Sequence, residues 1–133
     1  MALKLMYITN HPKVAQIAEN AGVDRIFVDM EYIGKAARQG GMDTVQSHHT
    51  LSDVATIRRA ICKSELLVRC NPIHDAAEGV MSTEEEVDGI ITNGADIVML
   101  PYFKTPDEVK RFLAAVRGRA QAMLLLETPE SVA

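Results

Sequence analysis

The segment "DIVMLPYFKTPDEVKRFLAAVRG" (residues 96–118) decides the fold, because it holds a strand, a loop and a helix in succession. The apolar run at 96–101 predicts the strand. The stretch Thr105-Pro106-Asp107-Glu108 is typical of a helix start with proline in the first turn, and Gly118 is expected to end that helix. The apolar face of the helix is expected to consist of Val109, Phe112, Leu113 and Val116.

The same unit recurs in the C-terminal part of the sequence. The run "QAMLLLE" (residues 121–127) leads into a carboxylate, and Thr128-Pro129-Glu130-Ser131 repeats the Thr-Pro-acid helix start. Val132 then takes the place that Val109 has in the preceding unit. The sequence therefore predicts an internal repeat of a strand–loop–helix unit that stops within its final helix.

Earlier parts of the chain follow the same alternation. Apolar runs lie at residues 3–9, 25–30 and 66–70. Amphipathic stretches lie at residues 11–22, 52–63 and 82–94, and the last begins with a capping box formed by Ser82 and Glu85.

Five short apolar strands that alternate with helices indicate an α/β fold with a parallel sheet. The unit length matches that of a (β/α)₈ barrel, which needs about 250 residues to close. We therefore expect residues 1–133 to form a single, incomplete TIM-barrel-type domain that contains strands one to five. An open doubly wound parallel sheet is the alternative, since five units can complete such a sheet.

The composition excludes several function classes. The 133 residues include 47% hydrophobic and 24% charged residues, as in a soluble globular domain. A net charge of −4 and the absence of tryptophan argue against nucleic acid as a partner, and no apolar run is long enough to cross a membrane. The two cysteines, Cys62 and Cys70, lack metal-ligand spacing, which favours a reducing cytoplasmic location.

Polar residues collect where the predicted strands end, which is where α/β proteins place their functional groups. Asp29 and Glu31 follow the second strand, Arg69 follows the third, and Glu127 follows the fifth. Buried charges at these positions are expected to pair with one another or to bind a ligand. A structural interpretation stays open, because Arg69 could simply neutralise the acids and Glu127 could accept backbone N–H groups of a helix start. Other polar residues at strand ends are Tyr32, Asn71, His74, Asp75, Tyr102 and Lys104.

A long polar segment follows the second strand. Residues 32–50 contain the adjacent His48 and His49, and loops of this length in compact domains are either functional or disordered. Adjacent histidines do not easily chelate one metal ion, so an ordinary loop position is the simpler interpretation for both. Cys70 beside Arg69 is interpreted as a packing residue, because no histidine stands next to it in sequence.

Four motifs together resemble the HpcH/HpaI aldolase and citrate lyase family: "RIFVDMEYIG", "LLVRCNP", "NGADIVMLPYFKTPDEV" and "MLLLETPESV". The resemblance extends from Gly22 to Ala133. It implies a TIM barrel that binds a divalent metal, Mg²⁺ or Mn²⁺. In that family the metal chelates a pyruvate-like 2-oxo acid or acyl substrate and stabilises its enolate during C–C bond cleavage or formation.

The resemblance also implies a role for each matching residue. Glu127 matches the first metal ligand, and Arg69 matches the arginine over the enolate oxygen, where it would serve as the electrophile that binds substrate. Asp29 and Glu31 match the acidic D-x-E motif. These roles are chemically reasonable, because a hard cation prefers carboxylate oxygens and a guanidinium stabilises developing negative charge.

Two departures from the family pattern have consequences. Tyr32 stands where pyruvate aldolases of the family carry a basic histidine, so His48 or His49 is expected to replace that base unless the chain belongs to a branch with another one. The second metal ligand of the family is an aspartate after the next strand, which this sequence does not reach. Glu127 is therefore expected to be half of a metal site, and the chain alone to be catalytically weak.

Two other function classes compete with the enzyme hypothesis. A non-catalytic assembly module would pair its open sheet edge with another chain, which makes a homo-oligomer the expected state. A phosphate-binding doubly wound domain is less favoured, because no glycine-rich loop follows any predicted strand.

Overall fold

The computed structural model describes residues 2–34 and 49–133. In these residues five β-strands alternate with five α-helices along the chain. The strands are β1 (Met6–Ile8), β2 (Arg25–Asp29), β3 (Glu65–Arg69), β4 (Ile97–Leu100) and β5 (Gln121–Leu124). The helices are α1 (Pro12–Asn20), α2 (Leu51–Ala60), α3 (Thr83–Thr92), α4 (Pro106–Val116) and α5 (Pro129–Val132).

The five strands form one sheet in the order β1-β2-β3-β4-β5, and each neighbouring pair is parallel. Sequential order with a helix in each described connection is the topology of a barrel-type sheet, because right-handed crossovers then place the helices on one side. A doubly wound sheet would reverse its strand order at a switch point. The fold is therefore an incomplete TIM-barrel-type α/β sheet, and the doubly wound alternative is wrong.

The two faces of the sheet have different cores. One face packs alternate strand residues, such as Ile26, Val28 and Leu66, against the helices in the main hydrophobic cluster. The opposite face, here called the inner face, carries a smaller cluster made of strand residues only, because side chains along a strand alternate between faces. The inner-face cluster consists of Phe27, Leu67, Ile97 and Met99, with Met123 and Leu125 packed against it.

Capping boxes begin α2, α3, α4 and α5, so the helix starts predicted at Ser82, Thr105 and Thr128 are confirmed. The edge strands are shorter than their apolar runs, since β1 covers only 6–8 and β5 only 121–124. Leu113, predicted on an apolar helix face, is 47% exposed on α4.

The end of α1 is tied to the start of β3 by a carboxylate. Glu19 Oε2 accepts backbone N–H groups from Cys62, Lys63 and Ser64 at 2.8, 2.5 and 2.8 Å. This bond set lies at the N-terminal end of β3, opposite the edge where functional groups are expected. In the described ranges, no helix is long and apolar enough to cross a membrane.

Candidate functional site

The candidate site lies at the carboxyl ends of the strands, on the inner face. Asp29 and Arg69 are the last residues of β2 and β3, and they stand directly opposite each other in the parallel register. Each lies two positions beyond an inner-face residue, Phe27 and Leu67 respectively, so both side chains project to that face. The pairing that the sequence left open is therefore set by the strand register.

Arg69 and Asp29 form a bidentate ion pair. Arg69 Nε donates to Asp29 Oδ1 at 2.9 Å, and Nη2 donates to Oδ2 at 2.5 Å. The Asp29 side chain is 2% exposed and that of Arg69 is 15% exposed, so the pair is largely shielded from water. The guanidinium also lies over the Phe27 ring, 5.4 Å from its centroid. Phe27 and Asp29 together hold the guanidinium in one orientation.

Glu31 adds a second buried acid to the same arginine. Its side chain is 1% exposed, and its Oε1 lies 3.8 Å from Arg69 Nη1. The Glu31 backbone N–H donates to Asp29 Oδ1 at 3.1 Å, so the two acidic residues of the D-x-E motif are hydrogen-bonded to each other. Asp29 and Glu31 therefore share one cation.

Glu127 follows β5, three residues beyond its last residue Leu124, as an exposed carboxylate. Its Oε1 accepts the backbone N–H of Tyr102 at 2.9 Å, so a neighbouring loop, and not the start of α5, supplies its hydrogen bond. Tyr102 adopts a left-handed φ of 48°, which is costly for a residue other than glycine. The Lys104 ammonium lies 5.3 Å from the centre of the Tyr102 ring.

The positive charge of Arg69 interacts with the carboxylates of Asp29, Glu31 and Glu127. Burial alone would lower the pKa of its guanidinium, but the hydrogen bonds to Asp29 and the charges of Asp29, Glu31 and Glu127 outweigh that effect and raise the pKa. Three carboxylates and one guanidinium sum to a formal charge of −2, which complements one divalent cation.

Of the two candidate histidines, the described residues include His49. His49 lies beside the D-x-E motif, where its Nδ1 accepts the backbone N–H of Asp29 at 2.8 Å. A neutral ring that accepts at Nδ1 carries its proton on Nε2. His48 lies outside the described residues.

Two further buried polar residues, Asn71 and Glu86, lie next to the site. Glu86 Oε1 accepts the backbone N–H of Asn71 at 2.9 Å, and Oε2 accepts its Nδ2 at 2.6 Å. Asn71 was only one of several polar residues at strand ends, and Glu86 was not expected at all. The sequence feature that could have identified Glu86 is its helical spacing, because Glu86 lies on the buried face of α3 with Thr83 and Ile90.

The donor chemistry partly fits a hard divalent cation. Glu127 offers carboxylate oxygens at the strand ends, whereas Asp29 is occupied by Arg69. Within residues 2–34 and 49–133, no group of three or more His, Cys, Asp or Glu side chains is placed to hold a metal ion. Glu127 can therefore supply one ligand, and further oxygen donors would have to come from substrate, water or other parts of the protein.

Comparison with known proteins gives one family match. The family model described as HpcH/HpaI aldolase/citrate lyase matches residues 4–126. No curated protein matches the chain in a sequence comparison.

Solved structures share the fold at low sequence identity. An HpcH/HpaI aldolase from Desulfitobacterium hafniense DCB-2 has a TM-score of 0.60 and 13% identity, with 97% of this chain and 43% of that chain covered. Oxaloacetate acetylhydrolase in complex with the product oxalate has a TM-score of 0.60 and 16% identity, with coverage of 90% and 42%. Tryptophan synthase from M. tuberculosis has a TM-score of 0.61 and 20% identity, with coverage of 98% and 59%. The chain thus spans between 42% and 59% of the length of these structures.

Proposed function

Because the chain belongs to the HpcH/HpaI aldolase/citrate lyase family, we propose that it carries part of an aldolase- or lyase-type active site for a 2-oxo acid or acyl substrate. The placement of Arg69 carries this proposal. Its guanidinium lies at the carboxyl ends of the strands, held by Asp29 and electrostatically coupled to Glu31 and Glu127. A fixed cation in this position can bind an anionic substrate and stabilise negative charge on a carbonyl oxygen.

The proposed division of labour follows from the contacts. Asp29 holds the Arg69 guanidinium through two hydrogen bonds, so that the arginine needs little reorientation during the reaction. Glu31 lies within 3.8 Å of the same group and balances its charge. When C–C cleavage leaves an electron pair on the substrate, the nearby guanidinium would stabilise the resulting enolate oxygen.

Glu127 is the proposed ligand of a divalent metal, Mg²⁺ or Mn²⁺. Such an ion, when bound, supplies Lewis-acid polarisation of the substrate carbonyl. The Tyr102 N–H bonded to Glu127 Oε1 orients this carboxylate. Oxalate, the product bound in the similar oxaloacetate acetylhydrolase structure, is a suitable probe, because its two carboxylates resemble a 2-oxo acid.

The hydrogen bond from Asp29 fixes which nitrogen of a neutral His49 ring carries the proton. The Asp29 N–H donates to Nδ1, so the proton of the neutral ring lies on Nε2. The base role expected for His48 or His49 stays a prediction, and for His49 it would require the bond from Asp29 to break.

Calorimetric titration of oxalate with and without Mg²⁺ tests the proposed function. We expect Mg²⁺-dependent oxalate binding that weakens at least about tenfold in Glu127→Gln, because the metal loses an anionic ligand worth more than about 1.4 kcal/mol. Glu130→Gln is the matched control, since it removes an exposed carboxylate from α5. Equal binding by Glu127→Gln and the parent chain would exclude the metal role. Absence of any binding would mean a barrel fragment that keeps the residues without the chemistry.

A second candidate function is an assembly module formed by copies of this chain. Apolar side chains are exposed on both edge strands, including Ile8 at 49% on β1 and Leu124 at 40% on β5. Parallel edges with exposed apolar residues favour association. Size-exclusion chromatography with light scattering distinguishes this candidate, because a monomer at all concentrations would exclude it.

The proposed compartment is the reducing cytoplasm. Both cysteines are free thiols in the part of the chain that the structure describes, with Cys62 exposed and Cys70 buried. Burial raises the pKa of the Cys70 thiol well above its usual value, so it is expected to pack as an uncharged side chain and not to act as a nucleophile.

A further inference from the structure

A buried polar pair lies directly behind the D-x-E motif. Asn71 is 1% exposed and Glu86 is 3% exposed, and both belong to the described core beside the site. Glu86, in the first turn of α3, accepts both the backbone N–H and the side-chain Nδ2 of Asn71. These two bonds fix the side chain of Asn71 in one orientation, with its Oδ1 directed away from Glu86.

The Oδ1 atom of Asn71 binds the backbone that follows Glu31. It accepts the N–H of Tyr32 at 2.7 Å and the N–H of Ile33 at 2.9 Å. Because Tyr32 is bonded covalently to Glu31, the same contact restricts the position of the second acid of the motif. A continuous set of four hydrogen bonds thus connects α3, the end of β3 and the loop after β2.

We propose that Asn71 and Glu86 are positioning residues for the candidate site, which hold the loop after β2 so that Glu31 and Asp29 face Arg69. The relevance of this pair to substrate binding rests on the proposed function. The effect on the loop itself does not, because it follows from hydrogen bonds within the chain.

The residue types support a positioning role over simple packing. A buried carboxylate is costly, and burial raises the pKa of Glu86 although the hydrogen bonds from Asn71 oppose that shift. An apolar pair of similar size would fill the same space at lower cost. Only a side chain with a donor and an acceptor, such as Asn71, can bind Glu86 and two backbone N–H groups together.

A donor–acceptor swap tests the proposal. Glu86→Gln places an amide donor against Asn71 Nδ2 or against the Asn71 backbone N–H, so either orientation leaves two donors opposed. Asn71→Asp alone sets two carboxylates against each other. In the Asn71→Asp/Glu86→Gln double variant the carboxylate and the amide exchange places, and all four hydrogen bonds can re-form. Glu19→Gln is the control, since it alters a buried carboxylate at the opposite end of β3.

Amide hydrogen exchange of the parent and the variants is measured first. We expect Glu86→Gln to lower protection at Tyr32 and Ile33 at least about tenfold more than at Leu67 in the centre of β3, consistent with local opening. The double variant should restore that protection. Glu19→Gln should change the protection of the Tyr32, Ile33 and Leu67 amides by similar factors. The proposal is overturned if Tyr32 and Ile33 lose no more protection than Leu67, or if the double variant fails to restore it.

The affinity for oxalate in the presence of Mg²⁺ supplies the functional measurement. We expect a loss of at least about tenfold in Glu86→Gln, recovery in the double variant, and no loss in Glu19→Gln. If the parent chain does not bind oxalate, the proposed function fails while the exchange measurement still decides the positioning role. If oxalate binding is unchanged in Glu86→Gln although the loop opens, the pair has no role in the site.

Discussion

At the scale of single residues, the candidate site depends on one arginine and the acids around it. The sequence left open whether Arg69 neutralises Asp29 or serves chemistry, and the structure shows that the ion pair exists. The two interpretations are compatible, because the acid that neutralises a buried guanidinium also orients it. The ion pair therefore fits both a structural and a catalytic role of Arg69.

Asp29→Asn is expected to lower the free energy of unfolding by about 3 kcal/mol, because it leaves the largely buried Arg69 charge without its bidentate partner. Urea denaturation of both proteins measures this difference. Asp88→Asn is the matched control, since the Arg119–Asp88 pair has side chains that are 31% and 56% exposed. That control should change stability by less than about 1 kcal/mol. Equal effects of the two substitutions would show that the site pair is effectively solvated.

The proton position on His49 is a second prediction at this scale. Since Nδ1 accepts the Asp29 N–H, we expect the neutral ring to be the Nε2–H tautomer. The ¹⁵N chemical shifts of the imidazole distinguish the two tautomers directly. A protonated Nδ1 in the neutral ring would contradict this prediction and return His49 to the role of a possible base.

At the scale of elements, local signals determined most helix starts. Ser82 with Glu85 and Thr105 with Glu108 form the reciprocal capping bonds that their spacing predicts. The fifth helix begins at Pro129, as its Thr-Pro start predicts. Capping is local, because the bonded residues are three positions apart. Strand lengths were less predictable, since an apolar run does not show where a partner strand stops.

The connection between α1 and β3 should make stability depend on pH. Burial raises the pKa of the Glu19 carboxyl, but backbone bonds from Ser64, Lys63 and Cys62 outweigh burial, and the pKa lies below its usual value of 4.5. A depressed pKa stabilises the fold above the unfolded-state pKa, and this contribution is lost as the pH falls through the folded-state value. Glu19→Gln should therefore cost about 2 kcal/mol at pH 7.

The cost of Glu19→Gln should decrease steadily below about pH 4.5, where the Glu19 carboxyl of the unfolded parent chain begins to bind a proton, until the pH has passed the lower pKa of the folded state. Urea denaturation of both proteins from pH 7 to pH 3 measures the difference. A cost that stays constant over this range would contradict the role of the charged carboxylate.

The end of α4 offers a stabilising substitution. Arg117 is exposed and adopts a left-handed φ of 52° at the C-cap, where glycine is the favoured residue. Arg117→Gly should raise the free energy of unfolding by about 0.5–1 kcal/mol, because removal of backbone strain exceeds the added entropy of the unfolded chain. Thermal denaturation tests this, and a decrease in the melting temperature would contradict it.

At the scale of the whole molecule, the open edges of the sheet predict self-association. We expect the parent chain to form dimers or larger species in light scattering, and Ile8→Lys with Leu124→Lys to shift it toward monomer, since charged edges resist pairing. Ile17→Lys is the control, because Ile17 is 69% exposed on helix α1 and does not belong to an edge strand. Unchanged association in the edge variant, or equal dissociation in the control, would exclude the edges as the interface.

The sequence by itself determined the order of strands and helices, most helix starts and the set of charged residues at the strand ends. These features are local, since periodicity and capping involve residues within one or two turns. Only the tertiary structure decided that Arg69 binds Asp29, 40 positions away, and that Asn71 binds Glu86, 15 positions away. It also decided the sequential strand order that distinguishes a barrel-type sheet from a doubly wound one. The physical reason is that register and strand order arise from burial of both sheet faces at once, which no single segment specifies.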